Sequence, residues 1–267
     1  MILYKNSRSA SLKIYCIQSG FYTRNFKYIS ISIMLAAISC IITPETKAEN
    51  LSFNEHKNVV VLDPGHGGHD KGIEGPAGLL EKKVTLILCR IIANELADRY
   101  RTAFTRSDDY WVDIPDRAAT ANHLKADIFI SIHTGGSFLH KAKGMTIFYF
   151  KEISKPKMLT ETLPAKISNT GISETAWENL NKKHTDESML LAGLIRDHLL
   201  RHLKNIEINI NGAPLLVLSG ADTPAVLVEV GYLTNPVEEK ALKNMEVLAK
   251  ISKGISQGAD DFLKKYR

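Results

Sequence analysis

Asn58-Val59-Val60-Val61-Leu62-Asp63-Pro64-Gly65-His66-Gly67-Gly68 is the stretch on which the reading of the chain turns. A short apolar run passes into Asp-Pro-Gly, the pattern of a buried strand that stops at a turn. The alternation continues downstream. Residues 81–99 predict a helix, with Val84, Leu88, Ile91 and Ala97 near helical spacing, and 102–105 predict a strand. A helix is expected over 115–124 and strands over 127–132 and 145–150. Residues 187–203 form an amphipathic pattern with Thr185 or Asp186 as candidate N-cap. Strands are expected over 215–218 and 225–230, and helices over 236–244 and 247–263. Strands separated by helices predict one α/β domain with a mixed, mostly parallel sheet of about six strands flanked by helices.

The stretch 151–185 breaks the pattern, mixing Pro156, Pro164 and Gly171 with Lys, Thr and Asn without periodicity. A connection this long is functional or disordered more often than not. Lying between a strand and a helix, it is a candidate cover for a site.

The charge of the chain has a separate origin. The 267 residues carry 34 basic and 29 acidic side chains, a formal net charge of +5, which alone would point to an acidic partner. Residues 1–48 hold six of the basic residues and one acid, Glu45, so 28 of each sign remain in residues 49–267. That balance argues against nucleic acid. The first 48 residues read as an export signal: a basic stretch, an uncharged apolar run from Tyr28 to Pro44, then Thr46-Lys47-Ala48, with cleavage expected after Ala48. The run is shorter than the ~20 residues of a spanning helix. Lipidation at Cys40 and a retained anchor are the rival readings. Three cysteines rule out a disulfide framework, and of these only Cys89 lies beyond the leader, inside an apolar helix where a thiol acts as a small hydrophobe.

Four side chains stand out for their chemistry. His66 follows the first strand, where open α/β sheets gather functional groups. The neighbouring glycines also suit a phosphate cradle, but no Gly-Lys-Ser/Thr follows. Glu81 opens a helix, where a carboxylate has the simpler role of favouring the helix dipole, worth ~0.3–1 kcal/mol. His133 ends a second buried strand. Glu229 lies within the apolar run 225–230, where a carboxylate is costly unless paired, the alternative being an exposed edge strand. Two histidines and a glutamate form a ligand set used by catalytic zinc sites, although these residue types leave other divalent metals open. A further carboxylate could move a proton between water and a leaving amine. No His-Glu-x-x-His helix is present.

Asp63-Pro64-Gly65-His66-Gly67-Gly68, Gly78-Leu79-Leu80-Glu81-Lys82, Ser131-Ile132-His133 and Val228-Glu229-Val230-Gly231-Tyr232-Leu233-Thr234-Asn235-Pro236 occur in that order. Together they resemble the zinc-dependent N-acetylmuramoyl-L-alanine amidases of the type 3 family, over roughly residues 58–262. Asp116-Arg117 and Ala121-Asn122 add to the likeness. The resemblance implies hydrolysis of the amide joining N-acetylmuramic acid to the L-alanine of a peptidoglycan stem. It implies one Zn2+ held by His66, Glu81 and His133, with Glu229 as general base and acid. It also implies that 151–185 could be an autoinhibitory segment displaced by an activator protein. Thr134-Gly135-Gly136 and Asn211-Gly212-Ala213-Pro214 depart from the family's usual residues, which bears on substrate contacts rather than on the ligand set. An exported protein, expected in the periplasm, monomeric and without a membrane span once the leader is removed, would act on the cell wall. A binding module without turnover and a zinc peptidase cutting another amide are the competing functions. Trp111 and Trp177 are candidates either for sugar contact or for packing. His69, His123, His140, His184, His198 and His202 match no constellation and read as surface or local hydrogen-bonding residues.

Overall fold

The apolar run that opens the domain forms β1 (Val59–Pro64) in the computed structural model, which describes residues 57–152 and 183–266. It is followed by α1 (Glu81–Leu96), β2 (Arg101–Phe104), α2 (Ile114–His123), β3 (Ile128–Gly135) and β4 (Met145–Phe150). After the undescribed stretch come α3 (Thr185–His202), β5 (Ile208–Ala213), β6 (Ala225–Tyr232), α4 (Pro236–Leu242) and α5 (Met245–Tyr266). The six strands form one sheet in the order β2-β1-β3-β6-β4-β5. All neighbours run parallel except β4 and β6, which are antiparallel. The expected single α/β domain with a mostly parallel, mixed six-strand sheet is the observed fold.

Burial explains why the central strands are continuous apolar runs rather than alternating ones. Val60, Leu62, Ile130 and Val228 face one cluster with α1, α3 and α5, whereas Val61, Phe129 and Leu227 face a second with Ala118 and Ala121 of α2. A sheet covered on both faces needs apolar side chains at successive positions. α4 is started by the Asn235 side chain, which accepts from the Val237 and Glu238 amides, with Pro236 in the first turn.

Two expectations fail. Residues 215–218 are not a strand but lie in a turn; the strand is the preceding Ile208–Ala213. Ile208-Asn209-Ile210-Asn211-Gly212 alternates at period two as an edge strand should, but its Asn-Gly pair mimics a turn. The continuous Leu-Leu-Val-Leu run mimics a buried strand instead. The N-cap of α3 is His184, not Thr185 or Asp186, which are already helical.

Because β4 runs against β6, Thr146 pairs with Glu229 and Tyr149 with Val226. β4 therefore ends at the sheet edge where β6 begins, and α3 starts there too: Ser188 Oγ accepts from the Ala225 amide at 3.0 Å. Most of 151–185 lies outside the described residues, as does the segment 1–48 with its cleavage after Ala48 and lipidation at Cys40. Among the described residues no helix is long and apolar enough to cross a membrane.

Candidate active site

β1, β3 and β6 deliver their carboxyl ends to one edge of the sheet. His66 follows β1, His133 lies near the end of β3, and Glu229 is the cross-strand partner of His133 on β6. β3 runs to Gly135, so His133 sits within the strand rather than after it, with a register shift between the two.

Glu81 is the hub. It opens α1 but is only 1% exposed and turned inward. Its Oε2 accepts from the Ile73 amide at 2.9 Å and its Oε1 from the Thr134 amide at 2.9 Å. His66 Nε2 lies 3.1 Å from Oε2 and His133 Nδ1 lies 3.0 Å from Oε1. This is not a helix-dipole carboxylate facing water. One atom from each of His66, Glu81 and His133 falls within 4.8 Å of the others, so the group could hold a metal ion. Two imidazoles and a carboxylate also suit such an ion chemically. Burial opposes ionisation of Glu81, yet the hydrogen bonds and charges of His133 and His66 hold it well below the ordinary carboxylate range. Burial pulls His66 down, but Glu81 and then Asp70 outweigh it and leave the imidazole raised.

Close packing leaves no room for extra atoms. At Gly72, φ is +64° and a Cβ would come within 2.6 Å of both Glu81 Oε2 and His66 Cδ2. At Gly65 a Cβ would strike the His133 ring. The glycines thus allow His66, Glu81 and His133 to approach one another closely.

Glu229 is near enough for both neighbours to act on it. Burial pushes its carboxyl up, the Glu81 charge adds to this, and His133 opposes it. A carboxylate made more basic in this way is a better proton acceptor than an exposed one.

Several supporting residues carry no signal that the sequence alone could reveal. Asp70 Oδ2 lies 2.7 Å from His66 Nδ1. Arg106 is fully buried and donates to the carbonyls of Pro64 and Gly65 at 2.9 and 2.8 Å. Arg117 donates to the His66 carbonyl at 3.0 Å and pairs with buried Asp63 at 2.7 Å. Asp63 also accepts from Thr105 and Ser131. Glu239 accepts from the Ala77 and Leu79 amides, fixing the loop that leads into Glu81. Each is a polar residue whose burial depends on tertiary structure; Asp63, Ser131 and Arg117 fall within the quoted motifs, whereas Asp70, Arg106 and Glu239 do not.

A cavity of about 360 Å³ opens from His66 and His133, walled by Trp111, Ile114 and the 214–217 turn. A second hollow of about 400 Å³ is lined by Ile73, Ser137, His140 and Thr234. Trp111 is therefore a cleft residue rather than a core one, whereas Trp177 lies outside the described residues.

The family description N-acetylmuramoyl-L-alanine amidase matches residues 60–261, which contain every element of the sheet and all four site residues except the first residue of β1. The chain belongs to that amidase family. It is 32% identical to the N-acetylmuramoyl-L-alanine amidase AmiA of Escherichia coli (strain K12) over 222 residues, covering 76% of this chain and 75% of that protein. It is 30% identical to the amidase AmiC of Neisseria meningitidis serogroup B, covering 79% of this chain but 54% of the relative. Among solved structures, the N-acetylmuramoyl-L-alanine amidase of Clostridium difficile 630 superposes with a TM-score of 0.65 at 26% identity, covering 79% of this chain and 99% of that one. The amidase fold and the ordered motifs thus agree on one family.

Of the remaining histidines, His184 pairs with Glu187 and Asp222. His198 pairs with Asp261, and His202 meets Gln257. Apart from the His184–Glu187 pair, these bonds reach residues distant in the chain, and His184 and His198 are buried rather than on the surface.

Proposed function

We propose that the protein is an exported, zinc-dependent peptidoglycan amidase that hydrolyses the bond between N-acetylmuramic acid and the L-alanine of the stem peptide. The observation that carries this reading is the His66–Glu81–His133 cluster with Glu229 beside it, in a member of the amidase family. His66, Glu81 and His133 would hold the ion. When bound, zinc supplies Lewis-acid chemistry, polarising a carbonyl and making water nucleophilic near neutral pH.

The chain's own residues do the rest. Glu81 is kept anionic by its two imidazole neighbours, and Asp70 orients His66. Glu229 takes a proton from the attacking water on its carboxylate and passes it to the departing alanine nitrogen. Burial favours this by raising the proton affinity of that carboxylate. The periplasm is the proposed compartment, a monomer the proposed form, and cell-wall remodelling or daughter-cell separation the proposed role. Residues 151–185 are proposed to restrain the site until an activator protein relieves them. Deleting residues 155–180 should then raise basal activity, and an unchanged rate in a folded deletion protein counts against that restraint.

The test is digestion of purified peptidoglycan by zinc-loaded protein, read by mass spectrometry. Free stem peptides and peptide-free glycan support the reading. Cleavage inside the stem makes the protein a peptidase, and no cleavage by the deletion protein makes it a wall-binding module.

A further inference from the structure

We infer that the wall made by Trp111, Ile114 and the 214–217 turn is a subsite for the pyranose rings of a glycan strand, so that glycan and stem peptide leave the reacting centre in opposite directions. This rests on the amidase reading and assigns the substrate's orientation within it. Trp111 is held in place on one side: its indole Nε1–H donates to Asp113 Oδ1 at 2.7 Å, and the His69 ring packs 4.8 Å away. It nevertheless remains 37% exposed, in the same cleft as His66 and His133. Ile114 is 40% exposed and Leu216 is 72% exposed. Exposed apolar side chains gathered beside a polar centre mark a ligand surface.

The 214–217 side of the cleft is anchored just beyond the turn. Asn122 Nδ2 donates to the Gly220 carbonyl at 2.7 Å, while its Oδ1 accepts from the Asp222 amide at 2.8 Å. Leu218, within the turn, is fully buried. Both walls therefore stand preformed, which lowers the ordering cost of binding.

Chemistry selects between the two halves of the substrate. A pyranose ring is uncharged and offers C–H faces to an indole, whereas a stem peptide carries carboxylates that need cationic partners. The arginine of this cleft, Arg117, is buried and committed to Asp63 and to the carbonyls of Pro64, His66 and Val112. Asp70 would repel an acidic peptide. The second hollow is different. It shares Ile73 with the Glu81 hydrogen-bond network, and the loop lining it carries exposed Lys141 and Lys143. The acidic peptide lies on that side and the glycan on the Trp111 side.

The chain has two tryptophans, so in the 155–180 deletion protein, which lacks Trp177, Trp111 is the only indole reporter. Its fluorescence should change saturably on titration with a β-1,4-linked N-acetylglucosamine tetramer and stay unchanged with free stem peptide. By calorimetry, Trp111→Ala and Leu216→Ser should each bind the tetramer about tenfold more weakly, with Trp111→Tyr largely retaining affinity. Wild-type binding in Trp111→Ala, a response to peptide instead of glycan, or no tetramer binding at all would overturn the subsite. Hydrolysis of a muramoyl peptide, measured in parallel, separates the two readings. Intact hydrolysis without glycan binding removes the subsite alone, while absent hydrolysis by the 155–180 deletion protein removes the amidase reading.

Discussion

Asp70 Oδ2 and His66 Nδ1 lie 2.7 Å apart, while the same imidazole turns Nε2 toward Glu81. A carboxylate at Nδ1 fixes the ring's orientation and tautomer and leaves Nε2 to offer its lone pair. Asp70 also accepts from the Gly72 amide, so it ties the ring to the loop behind it. Asp70→Ala should weaken zinc binding about 10–100-fold in chelator competition, with Asp70→Asn intermediate. Unchanged affinity in both would reduce Asp70 to a loop residue.

Glu229→Gln keeps the shape of the side chain and removes its proton affinity. Turnover should fall about 10²–10⁴-fold while metal content, measured by elemental analysis, stays at the wild-type level. Full activity would take Glu229 out of the mechanism, and loss of metal would make it a ligand instead.

Gly72→Ala places a Cβ against Glu81 Oε2 and His66 Cδ2 at a residue already in the left-handed region. The backbone alone costs roughly 1–2 kcal/mol. Zinc affinity and the thermal midpoint should fall together. A fall in the midpoint without loss of zinc affinity would mean that the loop yields before the ligands do.

The Asp63–Arg117 pair sits beneath the site, with side-chain exposures of 0% and 4%. Removing one partner of a buried pair leaves a charge without compensation, and Arg117→Met should cost about 3–5 kcal/mol in urea unfolding. Asp63→Asn/Arg117→Met should recover part of that loss. A double variant no more stable than Arg117→Met would show that the arginine acts through the carbonyls it clamps.

Tyr100 donates to Asp260 Oδ1 at 2.8 Å. Burial first, and then the Asp260 carboxylate, push its phenol from 10.0 up to about 12. The protonated phenol is thus favoured in the folded state. Its contribution is complete below pH 10 and is lost as pH rises towards 12. The stability difference between wild type and Tyr100→Phe should therefore be flat in the neutral range and shrink across that alkaline window. A difference that persists to pH 12 would assign the effect to packing.

What the sequence made legible follows from the kind of burial involved. β1, β3 and β6 are covered on both faces, so their apolar runs stand out without any alternation, and the site residues at their ends were marked by ordered motifs. β5 is an edge strand with Asn at alternate positions, and its Asn211-Gly212 pair hides it behind turn chemistry. The 215–218 run is apolar because Leu218 enters the core and Leu216 faces the cleft, a mixture that periodicity cannot separate. Asp70, Arg106 and Glu239 act through backbone groups brought from elsewhere in the chain. Nothing in their local sequence distinguishes them from solvated charges.

The reversal of β4 has an architectural consequence. It places the end of β4 and the start of α3 at the sheet edge where β6 begins, opposite the strand ends that carry His66 and His133. The strand ends that set the spacing of the site are held by the pairing of β1, β3 and β6 with one another, not by the chain between β4 and α3.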